Sequence, residues 1–168
     1  VGPYSYSWDN GALTEDLSGV AAGTYEVEVT DANGATSTES YTVDQPLVLG
    51  LSSSIVNVLI AGQSTGSIDA SITGGTSPYT YAWDNGASTE DITDLAAGSY
   101  ELTVTDANGC EIIDTYTVTE PGALVVTGTV VDALCNADLN GSVDISVAGG
   151  VGPYSYSWDN GALTEDLS

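Results

Sequence analysis

Residues 1–18 (VGPYSYSWDNGALTEDLS) recur unchanged as residues 151–168, so the chain repeats itself with a period of 150 residues. A weaker period of half that length runs inside it. Trp8, Trp83 and Trp158 stand 75 residues apart, as do Pro3, Pro78 and Pro153. Ala21–Gly34 (AAGTYEVEVTDANG) returns at the same offset as Ala96–Gly109 (AAGSYELTVTDANG). Self-similarity at a fixed period marks an array in which one folding unit is used repeatedly and contacts chiefly its neighbours. Each unit must close its own core within 75 residues, a small but sufficient length.

Gln45-Pro46 and Glu120-Pro121 punctuate the array, each followed by an apolar run. Proline just past a strand donates no hydrogen bond and biases the residue before it to extended geometry. These signals place one complete domain at 47–121, the C-terminal part of a preceding repeat at 1–46, and the N-terminal part of a following repeat at 122–168. Two slightly different domains alternate, which is why the identity period is the longer one.

Within 47–121 the apolar pattern has period two, with no convincing helical stretch. Ile68, Ala70 and Ile72 share one face of Ser67–Thr73, Tyr79, Tyr81 and Trp83 alternate with Thr80 and Ala82, and Tyr100, Leu102 and Val104 alternate with Glu101, Thr103 and Thr105. Gly74-Gly75, Asp84-Asn85-Gly86 and Asn108-Gly109 are turn signals. About seven short strands on this spacing predict an antiparallel sandwich. Trp83 sits where a third strand would bury it, and Leu95–Tyr100 has the form of a tyrosine corner. The expected fold is therefore all-β, a tandem array of small immunoglobulin-like sandwiches. Trp8, Trp83, Trp158, Tyr25 and Tyr100 are its expected core aromatics, with Trp83 and Tyr100 almost fully buried.

The chain holds 24 Asp and Glu and no Lys, Arg or His, for a formal charge of −24. Nucleic-acid binding is excluded, because neutralising phosphates requires Lys or Arg, and anionic membrane surfaces repel such a chain. No apolar run reaches the length of a membrane span, so no membrane insertion is expected. An apolar fraction of 42% with regular alternation separates it from disordered acidic chains. Crowded carboxylates should raise one another's pKa. The folded state then binds more protons, and stability falls as pH rises.

GGTSPYTYAWDNG (74–86), LAAGSYELTVTDANGC (95–110) and TVTEP (117–121) together resemble the SprB-type repeat of very large surface adhesins in gliding Bacteroidetes, a relative of PKD and other immunoglobulin-like modules. Residues 1–46 and 123–168 carry the same motifs in register. The resemblance implies an exported cell-surface protein, delivered by type IX secretion, and a scaffold without an active site. The family usually carries Cys both before the second strand and after the Asn-Gly turn, and this chain departs from that pattern.

Only Cys110 and Cys135 are present, and a shift of 75 places them on Ala35 and Ile60. Each domain then has one Cys, so a bridge within a domain is ruled out by count. Three arrangements remain: Cys135 paired with the copy of Cys110 in the next period, Cys110 paired with Cys135 by folding back about Pro121, or free thiols. Either bridge fits an oxidising, extracellular location.

Asn136, Asp138, Asn140 and Asp144 imitate the start of a calcium loop with Gly141 at its sixth position, but Val147 stands where the bidentate acid belongs. A solvated turn is the competing account, as is diffuse binding of Ca²⁺ or Mg²⁺ to the acidic surface, and calcium is the one candidate cofactor. The clusters Glu15-Asp16, Glu90-Asp91-Asp94 and Glu165-Asp166 read as solubilising faces. Without His or Lys, catalysis would fall to carboxylates, Tyr or Cys, and a small sandwich offers no deep cleft for a carboxylate pair. No enzyme is expected.

The expected role is the spacer shaft of an extracellular adhesin filament, with neighbouring repeats, and other copies in a filament, as partners. Two rivals stand beside it. One is a module binding surface glycans or calcium, which exposed aromatics would favour. The other is a lateral polymer of a sheath or surface layer, which requires broad contacts between chains.

Overall fold

Period-two alternation is realised as eleven strands, with no helix among the described residues, which in this computed structural model are 2–135 and 139–167. The strands are β1 (Ser5–Trp8), β2 (Gly23–Thr30), β3 (Thr36–Val43), β4 (Gly50–Val56), β5 (Gly66–Thr73) and β6 (Thr80–Trp83). They continue with β7 (Ile92–Leu95), β8 (Gly98–Thr105), β9 (Glu111–Val118), β10 (Val125–Val131) and β11 (Ser142–Ala148). The chain divides into two compact units, Val1–Leu47 and Val48–Ser168.

The second unit contains a complete sandwich. One antiparallel sheet has the order β4-β5-β7 and the other β6-β8-β9. Six strands build it, one fewer than the sequence spacing suggests. The connection from Trp83 to Ile92 is spent on two turns and leaves no room for another strand. Where β4 ends, the chain crosses to the opposite sheet: Val58 N–H donates to the Thr119 carbonyl at 2.9 Å, and Thr119 N–H to Asn57 Oδ1 at 2.9 Å.

Both sheets contribute to one core. Ile68 and Ala70 of β5, with Ile92 and Leu95 of β7, meet Trp83, Leu102, Val104, Tyr116 and Val118 of the facing sheet. Ile68, Leu102 and Val104 are completely buried. Trp83 lies opposite Leu102 in the β6–β8 register and packs on Tyr116 with ring centroids 5.9 Å apart at 51°, a tilted geometry that aromatic pairs favour. Gly66 is required by the close approach of the sheets, since a Cβ there would lie 2.6 Å from Val118 Cγ1 and 3.0 Å from the Leu95 carbonyl.

The flanking repeats are each half of the same sandwich. β1-β2-β3 form the sheet equivalent to β6-β8-β9, whereas β10-β11 form the equivalent of β4-β5. An isolated bridge, Val143 to Leu167, stands where β5 meets β7 in the complete domain.

Trp83→Ala should destabilise the domain by about 3–5 kcal/mol, the cost of deleting a large buried aromatic; denaturant unfolding monitored by far-UV circular dichroism measures it, and an unchanged midpoint would contradict this core. The Tyr116 hydroxyl is buried with no hydrogen-bond partner among the described residues. An unsatisfied buried group costs about 1–3 kcal/mol, so Tyr116→Phe should leave stability unchanged or raise it. A clear drop in melting temperature would reveal a hidden bond at that hydroxyl.

Candidate functional site

Acidic side chains, read from sequence as solubilising clusters, partly serve the backbone instead. Trp83 Nε1–H donates to the Thr89 carbonyl at 2.9 Å, Thr89 Oγ1 donates to the Asp91 carbonyl at 2.7 Å, and Asp91 Oδ1 accepts from Ala70 N–H at 3.0 Å. Asp91 thus satisfies an amide of β5 just beyond Ile68, where its pairing with β7 ends opposite Ile92. Asp166 does the same for Ile145 N–H at 3.0 Å. The indole bond recurs at 2.9 Å from Trp8 to Thr14 and from Trp158 to Thr164. Burial and then the Glu90 carboxylate raise the Tyr81 phenol pKa, and Tyr6 beside Glu15 and Tyr156 beside Glu165 repeat the arrangement.

At one end of the complete domain, Asp106 organises the turn between β8 and β9. It is 6% exposed. Its Oδ1 accepts from Asn108 and Cys110 N–H, both at 2.9 Å, and its Oδ2 from Thr76 N–H at 2.9 Å. Ala107 N–H returns to the Thr76 carbonyl at 2.8 Å. The loop before β6 and the turn carrying Cys110 are therefore one bonded structure. The Cys110 amide, chief among these donors, lowers the Asp106 pKa, and Ala35 and Asn33 amides lower that of Asp31. Both departures run opposite to the expectation from crowded acids, because the nearest groups are N–H donors and not other carboxylates.

The other end carries the loop after β4. Gly62 N–H donates to the Glu120 carboxylate at 2.6 Å, which ties this loop to the residues before Pro121. Leu59, Ile60 and Ala61 share an apolar pocket with Pro121–Leu124 and with Gly150 and Val151 of the following repeat. Leu59 is 75% exposed and Ile60 66%. Gly150 N–H bonds the Gly122 carbonyl at 2.6 Å, and Gly149, at φ +72°, lies so close to the Ala123 carbonyl that no Cβ fits. Linker and loop tips, then, are where one repeat meets the next. The Pro linker was legible in sequence; the apolar loop at 59–61 was not singled out, although its Leu-Ile pair in a turn segment was the available signal.

The remaining site expectations fall as follows. Trp83 is buried, whereas Trp8 and Trp158 are half-buried, each in a half-sandwich. Tyr100 is half-buried, a correction to its expected near-complete burial. It stands at the start of β8, where its ring covers Gly98 and its hydroxyl donates to the Ala96 carbonyl at 3.0 Å. Tyr25 bonds the Ala21 carbonyl in the same way at 2.8 Å. In residues 48–121 no Tyr or Trp is exposed. Asn136 and Asp138 lie outside the described residues. Asn140 Oδ1 accepts from Leu134 N–H at 3.1 Å, and Asp144 is paired opposite Thr129 between β10 and β11. No group of three or more His, Cys, Asp or Glu among the described residues could hold a metal ion. Cys110 and Cys135 are both exposed, and neither is bonded to the other in this structure.

Asp106→Asn should lower the melting temperature at pH 7. The native carboxylate has a depressed pKa, so its contribution is fully present above the unfolded value of about 3.9 and is lost as pH falls through the lower folded value. The gap between wild type and variant should hold from pH 7 to about pH 5 and close in more acid solution. Melting curves across that range measure it, and a gap that widens on acidification would contradict the role assigned to Asp106.

No curated relative matches this chain. The SprB repeat family model matches residues 52–88 and again 127–163, an offset of 75 that reproduces the internal period and spans β4 to β6 and their counterparts. SprB repeats form repeat regions of adhesin-like surface proteins. With both matches in register with the internal period, the chain carries SprB repeats at 52–88 and 127–163.

Proposed function

We propose that this chain is part of the spacer shaft of an extracellular adhesin filament, of the kind that gliding bacteria export by type IX secretion. One observation carries the reading: no Tyr or Trp of the complete domain stands fully exposed, Trp83 and Tyr116 being buried and Tyr79, Tyr81 and Tyr100 half-buried, and its end loop at 59–61 packs with the linker and the next repeat. A glycan-binding module needs exposed aromatic platforms, which residues 48–121 lack. The mechanism is geometric. Each sandwich resists extension through its hydrogen-bonded strands, and the short Pro linker restrains bending between units. A strand of about 7 residues spans roughly 23 Å, so with its loops each domain should advance the shaft by about 35–40 Å.

Electron microscopy of a chain of several periods tests this. Thin single strands with a beaded rise in that range are expected, and flat sheets or compact clusters would contradict the shaft. Charge sets a second expectation. With a formal charge of −24 and no cation in the chain, repulsion opposes both compaction and side-by-side packing. Melting temperature at pH 7.5 should rise with added NaCl, through screening. A further large rise with millimolar Ca²⁺ at fixed high ionic strength would favour the calcium-binding alternative instead.

A further inference from the structure

The pocket between residues 48–121 and the following repeat fixes which side chains meet at a junction. Ile60 faces Gly150 and Val151 there. The internal period turns that observation into a statement about the next junction, where the 122–168 type of repeat leads into a fresh copy of the 47–121 type. Cys135 occupies the place of Ile60, and Gly75-Thr76 the place of Gly150-Val151. Thr76 is not alone at that end of the domain. Its amide and that of Cys110 are held by the two oxygens of one Asp106 carboxylate, each at 2.9 Å. A loop seated on the residue at position 76 therefore lies beside position 110. Where a 47–121 type of repeat leads into the alternating type, the two equivalent positions carry Ile60 and, by the 150-residue period, the counterpart of Ala35 after the Asn-Gly turn. Cysteines are thus absent together at one kind of junction and present together at the other.

We propose that Cys135 forms a disulfide with the Cys110 of the next 150-residue period, so that every second junction of the array is covalently stapled. The exposure of both thiols leaves them free to meet a neighbour. Each thiol gives up one proton and one electron as the S–S bond forms. An oxidised dithiol in the exporting compartment takes the two electrons and two protons and is itself reduced to the dithiol. Closure needs the two Cα atoms about 4.4–6.8 Å apart, a span within reach of loops already in contact. The pairing follows from the junction geometry and stands whether or not the array serves as a shaft.

The test is a chain of two consecutive 150-residue periods in which only Cys135 of the first and Cys110 of the second are kept, the other two being Cys→Ser. Those substitutions are at exposed positions and leave the fold intact. A control keeps Cys110 and Cys135 of the first period only. Both are incubated with oxidised glutathione, denatured, treated with iodoacetamide and weighed by mass spectrometry, with Glu-C digestion to locate the bond because the chain offers trypsin no cleavage site. The first variant should show no alkylation, the mass of the protein less two hydrogens, and one cross-linked peptide pair. The control should carry two carbamidomethyl groups, or two glutathiones. Full alkylation of the first variant, or an intramolecular bond in the control, would overturn the proposal.

Discussion

Hydrophobic closure between two three-stranded sheets is the interaction on which everything else here rests. With no Lys, Arg or His in the chain, side-chain ion pairs are unavailable, and the backbone ladder needs a buried face to hold it together. Trp83 stands at the middle of that face. It packs on Tyr116, lies opposite Leu102, and anchors the following connection through its indole bond to Thr89. The same indole bond forms in both half-sandwiches, so the tryptophan and its turn are a local unit that the sheets then enclose.

A uniformly acidic chain also has to place its charges. Many face solvent, where like charges repel one another. Asp91, Asp106, Asp166 and Asp31 do something different, accepting hydrogen bonds from amides that the sheets leave without partners. A carboxylate that accepts several N–H bonds is favoured in its charged form, which explains why Asp31 and Asp106 titrate low amid so many acids. Negative charge is here a structural acceptor as well as a solvating group.

The ends of the domain complete this division of labour. Asp106 ties the Thr76 loop to the Cys110 turn at one end, and Glu120 ties the Gly62 loop to the linker at the other. The faces of the sandwich are thereby left to the core and to solvent, and contact with the next repeat falls to the loop tips and the linker. A repeat array lives or fails by such nearest-neighbour contacts.

Much of this was legible in the residues. The period, the strands around Ile68, Tyr81 and Leu102, the tyrosine corners and the Pro junctions all follow from spacing, because side-chain alternation and turn chemistry are local properties. Strand number was overestimated, since spacing does not reveal how much of the connection after Trp83 is consumed by turns. Asp91 passed as surface charge and Asp106 was not singled out, since their partners lie 21 and 30 residues away. The division between local and tertiary control is clearest in the two identical copies of one segment. Ser5–Trp8 is a strand, paired with β2 from Ser5 opposite Thr30 to Trp8 opposite Val27, whereas Ser155–Trp158, the same four residues, forms none. The turn that follows is alike in both, with its Trp–Thr, Asn–Ala and Thr–Asp hydrogen bonds. Sequence alone determined that turn, because its donors and acceptors lie within six residues of each other. Only the tertiary structure decided the strand, because its hydrogen bonds belong to a partner that the segment does not contain.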